Sequence, residues 1–348
     1  MPVPRIRVDL YSDTITKPTA EMRQFMAQAE VGNEQNQEDP TVNLLVEMVS
    51  ELLGKEDAVY LPSGTMCNQI AFRVHCSHGD EIIMDETAHP IHSEAGGVAA
   101  LSGAMICPVK GVRGIFNGEQ VEAAVRPVDD NHAPRTRLVS VEQTTNFGGG
   151  AVWPIGTIRE VCAVARKHGL ATHMDGARLL NAVVASGVSA SEYAEGFDSV
   201  WLDLSKGLGA PVGAVLAGSK DFIKKAWRFK HQFGGAMRQA GIIAAAGVYA
   251  LRHHVDRLKD DHHNARLLAR GLAEIPGISV EPVETNILFF DVSGLGTTAA
   301  AFCEQLLEQG VRMVPVGRTR IRAVTHLDVN RSDIEYAVEA AGRAAGRR

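Results

Sequence analysis

From about residue 58 to residue 218, apolar runs of strand length alternate with stretches of helical period, and this order narrows the possible folds more than any other feature. Strands separated by helices are joined most simply by crossovers, which build a largely parallel sheet. The runs fall at residues 58–61, 81–85, 105–109, 137–142, 171–175, 199–204 and 213–217, so seven strands in one large sheet are expected. Residues 65–75 and 155–168 read as helices between them, the second stopped by Gly169. After Gly241 an Ala-rich and then charged stretch predicts one long helix to about Leu272, closed by Pro276 and Gly277. Beyond it, an apolar run at 287–292, a helix at 298–309 and short strands near 311–314 and 320–324 predict a second lobe. The expected class is α/β, with a large, mostly parallel-sheet domain over 21–245 and a small α+β C-terminal domain over 246–348.

Charge decides what kind of partner such a fold serves. Thirty-five basic against 41 acidic residues leave a net charge of −6, with no broad basic field for nucleic acid or an anionic membrane, so a small-molecule substrate is expected. Met1 to Asp9 holds Arg5, Arg7 and Asp9 and no apolar segment, which predicts neither a signal peptide nor a transmembrane helix and points to the cytoplasm. The cysteines, at 67, 76, 107, 162 and 303, are odd in number and lack CxxC spacing, which argues against a disulfide framework or a structural zinc site. His75, Cys76 and His78 read as the last turn of a helix rather than as metal ligands. The pairs His253/His254 and His262/His263 read as a solvated helix face.

Three motifs at predicted strand ends carry chemistry. Ser63-Gly64-Thr65 opens a helix, where hydroxyls and backbone N–H groups suit a phosphate, although an ordinary turn and cap would use the same residues. His173-Met174-Asp175-Gly176-Ala177-Arg178 ends a strand. There Asp175 is either a helix cap or a carboxylate for the protonated pyridine nitrogen of pyridoxal phosphate (PLP), with Arg178 one turn on facing the same ligand. Trp201-Leu202-Asp203-Leu204-Ser205-Lys206-Gly207-Leu208-Gly209 sets a lysine at a strand end before glycines that let a ligand approach. Each motif alone has a bland reading. Together they supply a phosphate anchor, a pyridinium partner and an amine nucleophile.

These residues resemble the L-threonine aldolases, a branch of the fold-type I PLP enzymes within the β-eliminating lyase group. The resemblance runs through Ser12-Asp13-Thr14, Glu38-Asp39-Pro40-Thr41, Pro62-Ser63-Gly64-Thr65-Met66, Ala88-His89, Glu94-Ala95-Gly96-Gly97, Asp175-Gly176-Ala177-Arg178, Ser205-Lys206-Gly207-Leu208-Gly209-Ala210-Pro211, Met237-Arg238-Gln239 and Val324-Thr325-His326. It implies that Lys206 is the Schiff-base lysine, that Asp175 pairs with the ring nitrogen, and that Ser63, Gly64 and Thr65 hold the phosphate. It further implies that His89 stacks on the ring and that Ser12, Arg178 and Arg322 grip the substrate carboxylate. Residues 1–20 would then form an N-terminal segment belonging to the substrate site. Arg238 would reach the phosphate of a neighbouring subunit, which implies a homodimer or homotetramer with shared active sites.

Near the substrate the chain departs from the family pattern. Tyr11 stands where Arg is usual, Asn36 and Ser93 where Tyr is usual, Thr145 where a histidine is usual, and His231 where Lys is common. Asn36, Ser93 and Thr145 are therefore expected to shape a remodelled side-chain pocket. The activity implied is cleavage of L-β-hydroxy-α-amino acids to glycine and an aldehyde, with low or altered side-chain specificity. A PLP-dependent β-elimination or racemisation on the same fold is the enzymatic alternative, and a non-catalytic PLP-binding protein the alternative of another class.

Overall fold

In the computed structural model residues 6–346 are described; residues 1–5 of the expected N-terminal segment and 347–348 of the expected C-terminal domain lie outside them. The seven expected strands form one sheet in the order Asp57–Leu61, Ala214–Gly218, Ser199–Asp203, Ala171–Gly176, Arg135–Glu142, Asp80–Asp85 and Met105–Val109. Five of them pair in parallel, which brings Asp85, Glu142, Gly176 and Asp203 to one edge. Ala214–Gly218 alone runs antiparallel, to both its neighbours. The connection from Leu204 to Gly213 is too short for the roughly dozen or more residues of a parallel crossover. Glycines at positive φ, Gly209 at 74° and Gly213 at 108°, let it turn back instead. Lys206 therefore sits in a tight loop, its carbonyl held by the Gly209 N–H and the Thr16 hydroxyl at 2.9 Å each.

Helices cover both faces of the sheet, and Ser199–Asp203 and Ala214–Gly218 are buried along their whole length. The large apolar cluster takes in Leu45, Trp153, Ile158, Tyr193, Val200 and Val248. A second cluster, with Leu268, Phe290, Phe302 and Ile334, fills the C-terminal lobe. Each fully buried Leu or Phe contributes roughly 1.5–3 kcal/mol relative to exposure.

Three expectations for this half are corrected: the single helix, the solvated histidines and the undivided strand near 311–314. The single long helix is two, Gly241–His253 and Leu258–Ala273, because the chain turns where the buried His254 ring nitrogen meets the Leu208 carbonyl at 2.7 Å. His254 and His262 are consequently not on a solvated face; His262 is buried beside Asn181. The expected boundary at 245/246 falls inside Gly241–His253, whose Val248 and Ala250 pack with the large cluster, while the second cluster takes up the chain from Ala265. The strand expected near 311–314 is also divided. Val311–Arg312 pairs with Val8–Asp9, and Val314–Pro315 joins the antiparallel sheet of Arg320–Val324, Ile287–Asp291 and Ser279–Val280.

The pairing of Val8–Asp9 with the C-terminal lobe delivers Ser12 and Asp13 to the carboxyl edge of the large sheet. There Asp13, fully buried, accepts from Arg178 Nε and Nη2 at 2.7 Å each and from Asn286 Nδ2 at 3.0 Å. One carboxylate thus ties the N-terminal segment, the large sheet and the small lobe. Burial pushes its pKa up, but the Arg178 charge and hydrogen bonds, the Lys206 charge and Asn286 outweigh burial and hold it well below the ordinary 3.8. A carboxyl depressed on folding stabilises the fold above its unfolded pKa and loses that contribution as pH falls toward the folded value. Asp13→Asn should lower the unfolding free energy by ~3–5 kcal/mol at pH 7, since it strands a buried guanidinium. Urea unfolding should show the gap to the parent narrowing only below about pH 3.8.

Candidate active site

At the carboxyl ends of the parallel strands, where open α/β sheets bind ligands, lies a cavity of about 360 Å³. Ser12, Gly64, Thr65, His89, Ser93, Asp175, Arg178, Lys206 and Arg322 line it, joined by Glu94, Glu142, Asn146, Phe147, Trp201, Asp203 and Ser205. A larger hollow of about 710 Å³ opens at the opposite strand ends, but Lys55, Arg166, Asp198 and Asp221 line it and none of the three motifs reaches it. Chemistry, not size, selects the smaller one.

The helix Gly64–His75 begins at the cavity wall, capped by Ser63 Oγ accepting from Met66 N at 3.2 Å. The first turn leaves N–H groups of Gly64 and Thr65 for an anion. Gly64 is required by close approach, since a Cβ there would fall 2.2 Å from the Trp201 ring. Ser63 does not line the cavity; its Oγ accepts at the cap and keeps its own proton to donate.

Asp175 ends its strand buried, with Oδ2 accepting from Asn68 Nδ2 at 2.8 Å and Oδ1 from Ala177 N at 3.0 Å. Among the described residues both donors are neutral, and burial raises its pKa despite the Asn68 hydrogen bond and the His89 and Lys206 charges. The cap and the ligand reading both hold a part: one oxygen caps, and the carboxylate still lacks a direct cation. A protonated ring nitrogen supplies one, so the donor set fits PLP. Lys206 Nζ pairs with Asp203 Oδ2, whose other oxygen accepts from Ser205 N and Oγ at 2.7 and 2.9 Å. His89 Nδ1 lies 2.9 Å from the buried Glu94 Oε1. Burial would depress His89, but that hydrogen bond and the Asp175, Glu94 and Glu142 charges outweigh it and raise its pKa.

The two arginines differ. Arg178 lines the cavity with Nε and Nη2 already given to Asp13. Arg322 gives only Nη1 to Asn146 Oδ1 at 3.3 Å, and among the described residues its buried Nε has no partner. Burial and the Arg178 charge lower its pKa. This unmatched guanidinium is the cation that a carboxylate would complete. Ser12 Oγ, accepting from Thr14 N and Oγ1 at 3.2 and 2.9 Å, keeps its own proton to donate.

Three other expected residues stand outside this chain's cavity. Thr145 is buried and faces away, toward Gly114, where a Cβ would sit 2.9 Å from its Cγ2. Its neighbours Asn146 and Phe147 line the wall instead. Asn36 and Arg238 are exposed on adjoining loops, joined by Glu34 N to the Arg238 carbonyl at 2.9 Å and by the buried ion pair of Lys230 with Glu34. Sequence reading also passed over Glu142, Asp203 and Asn68. Glu142 lies three residues before Thr145 and Asp203 three before Lys206, so both stood beside residues already singled out.

Glu142 has its carboxyl pushed up to about 8 by burial and by Asp175, against the His89 and Arg178 charges. At pH 7 the cofactor-free protein should hold a proton there. Infrared spectra should show a protonated-carboxyl band that fades as pH rises through about 8 and is missing from Glu142→Gln.

With known proteins the chain shares both sequence and fold. The family model for β-eliminating lyases matches residues 9–294. A probable low-specificity L-threonine aldolase of Arabidopsis thaliana is 44% identical over 339 residues, spanning 95% of each chain. The low-specificity L-threonine aldolase of Escherichia coli K12 is 42% identical over 330 residues, 94% of this chain and 96% of that one. Among solved structures, a threonine aldolase of Leishmania major superposes with a TM-score of 0.84 at 20% identity, covering 97% of this chain and 99% of the other.

Proposed function

The chain belongs to the β-eliminating lyase family, among relatives that are low-specificity L-threonine aldolases, and we infer that it is a PLP-dependent carbon–carbon lyase cleaving L-β-hydroxy-α-amino acids to glycine and an aldehyde. Threonine, allo-threonine and phenylserine are the substrate type. The observation that carries this reading is the convergence of Lys206, Asp175, His89 and the unmatched Arg322 on one cavity.

PLP held at Lys206 would supply an electron sink for the carbanion formed at Cα on cleavage of the Cα–Cβ bond. The N–H groups of Gly64 and Thr65 would hold its phosphate, and His89 would stack on its ring. Asp175 would keep the proton on its ring nitrogen. Arg322 takes the substrate α-carboxylate with its free N–H groups, Ser12 Oγ adds a hydrogen bond, and Arg178, locked on Asp13, sets the wall behind them. This grip orients the substrate for cleavage. His89 Nε2, left free by the Nδ1 bond to Glu94, accepts the β-hydroxyl proton directly or through one water. Because Thr145 faces away from the cavity, relaxed side-chain specificity is attributed to the Ser93 side of the wall rather than to Thr145.

No helix among the described residues is long and apolar enough to cross a membrane. We assign the enzyme to the cytoplasm, in keeping with its five unpaired cysteines. Homodimers or homotetramers with shared sites are supported by Asn36 and Arg238, which stand on firmly tied surface loops with no role in their own chain's cavity.

Glycine and aldehyde release from threonine and phenylserine tests the activity; pyruvate and ammonia from a β-substituted alanine, without glycine release, would assign β-elimination instead. Lys206→Ala should abolish both turnover and borohydride trapping of the cofactor, and trapping on Lys220 or Lys224 in the parent would defeat the assignment. Replacing the guanidinium in Arg322→Lys should raise KM for the amino acid ~10–100-fold, as loss of charge-assisted hydrogen bonds implies. Cofactor occupancy, measured by absorbance, should stay near that of the parent.

A further inference from the structure

Behind the cavity, Asn68 on the helix Gly64–His75 makes four hydrogen bonds with no exposure of consequence. Trp201 Nε1 lies 2.7 Å from its Oδ1, and an indole nitrogen can only donate, so that atom is the amide oxygen. Its Nδ2 then points at two carboxylates, Asp175 Oδ2 at 2.8 Å and Glu94 Oε1 at 2.7 Å, which can only accept when ionised. Since His173 Nε2, 3.1 Å from the same Oδ1, must also donate, the tautomer of His173 follows, and its Nδ1 accepts from Ser199 Oγ at 2.8 Å. Ser199 Oγ accepts in turn from His75 Nε2 at 2.8 Å. Burial above all keeps His173 and His75 neutral, down at about 3 and about 4, so this chain carries direction and no charge.

We propose that Asn68 is a positioning residue for the aldol cleavage, one amide that aims Asp175 and, through Glu94, His89 from the same helix whose first turn holds the phosphate. This rests on the aldolase reading above. Glu94 Oε1 takes both the Asn68 N–H and the His89 Nδ1 contact, so the two groups assigned to the ring nitrogen and the ring face share one hub. Gly64, packed on the Trp201 ring, locks the helix to the strand that leads to Lys206. Phosphate end and nitrogen end of the cofactor are therefore set by one rigid element. Only an uncharged double donor serves here. An aspartate would place a third carboxylate between two others, and a leucine of similar bulk would take one donor from each, leaving Asp175 only the Ala177 N–H.

Direction of the effect follows from the groups around Asp175. Burial raises it, and the Asn68 hydrogen bond and the His89 and Lys206 charges oppose burial, while Glu94 adds to it. Glu142, a carboxyl on the neighbouring strand, is itself pushed up by burial and by the Asp175 charge. With the amide donor gone, Asp175 ionises less readily and the ring-nitrogen proton loses its partner at a higher pH.

The test uses the holoenzyme in four forms: parent, Asn68→Leu, Asn68→Asp and Ser199→Ala. Asn68→Leu and Asn68→Asp should lower kcat ~10–100-fold, the size of one or two hydrogen bonds to a charged group, with KM changed far less. In both, the acidic limb of the kcat profile and the pH midpoint of the bound cofactor's absorbance should move up. Ser199→Ala breaks the far end of the chain and should lower Tm while leaving both pH readouts where the parent has them. If Asn68→Leu does not fold, the near-isosteric Asn68→Asp decides. Variants of Asn68 that lose Tm as Ser199→Ala does, yet keep the parent's kcat, limb and absorbance midpoint, would overturn the proposal. A parent that releases no glycine would instead defeat the aldolase reading, and the absorbance midpoints would still decide the role of Asn68.

Discussion

The buried pair of Asp13 and Arg178 is the contact on which the rest of the active-site edge depends. Two ions removed from water must satisfy each other with good geometry or destabilise the fold, and here both guanidinium contacts are 2.7 Å while Asn286 occupies a further lone pair. The pair does more than hold three segments together. Because Arg178 is committed to Asp13, Arg322 is left as the cation without a full set of acceptors, and the cavity acquires one definite place for a carboxylate. The strand pairing of Val8–Asp9 with Val311–Arg312 is what carries Asp13 there. An interaction between lobes thus decides which arginine keeps N–H groups without acceptors.

Much of this arrangement was legible in the chain. Seven apolar runs gave seven strands with ends shifted by a residue or two, since period and punctuation report local burial well. The strand-end motifs met at one edge because parallel strands bring their C-termini together. What local pattern could not report was direction and rotation. Ala214–Gly218 reads the same whether parallel or antiparallel, and only the shortness of the Lys206 loop reveals the reversal. Thr145 and Asn146 are adjacent, and which of them faces the cavity depends on how the loop to Ala151 packs on Gly114 and Gly148. Nor does periodicity announce that a helix will break at His254, where a single side-chain bond to the Leu208 carbonyl turns the chain.

Polar hubs were equally hard to read. Asn68 lies within an otherwise ordinary helical stretch, and its importance comes from four partners scattered between residues 94 and 201. Asp39 behaves alike at the other end of the large domain. Its buried carboxylate accepts from Thr41 N and Val42 N at the start of one helix, from Gly241 N at the start of another, and from Gly32 N in the loop that leads to Asn36. Helix N-termini carry partial positive charge, so one anion shared by two of them is well placed. It steadies the loops that present Asn36 and Arg238 to solvent.

The packing of Trp201 has a consequence of another kind. Its indole is buried against Gly64, bonded through Nε1 to Asn68, and lies 5.5 Å beneath the Lys206 amine, so it forms part of the cavity wall. The chain has only two other tryptophans, Trp153, wholly buried against Phe116, and Trp227, beside the buried Lys230. A fluorophore fixed at this spot will pass its excitation to any absorbing ring bound above it. The enzyme therefore carries a native optical gauge of its own occupancy, readable without a label and without turnover.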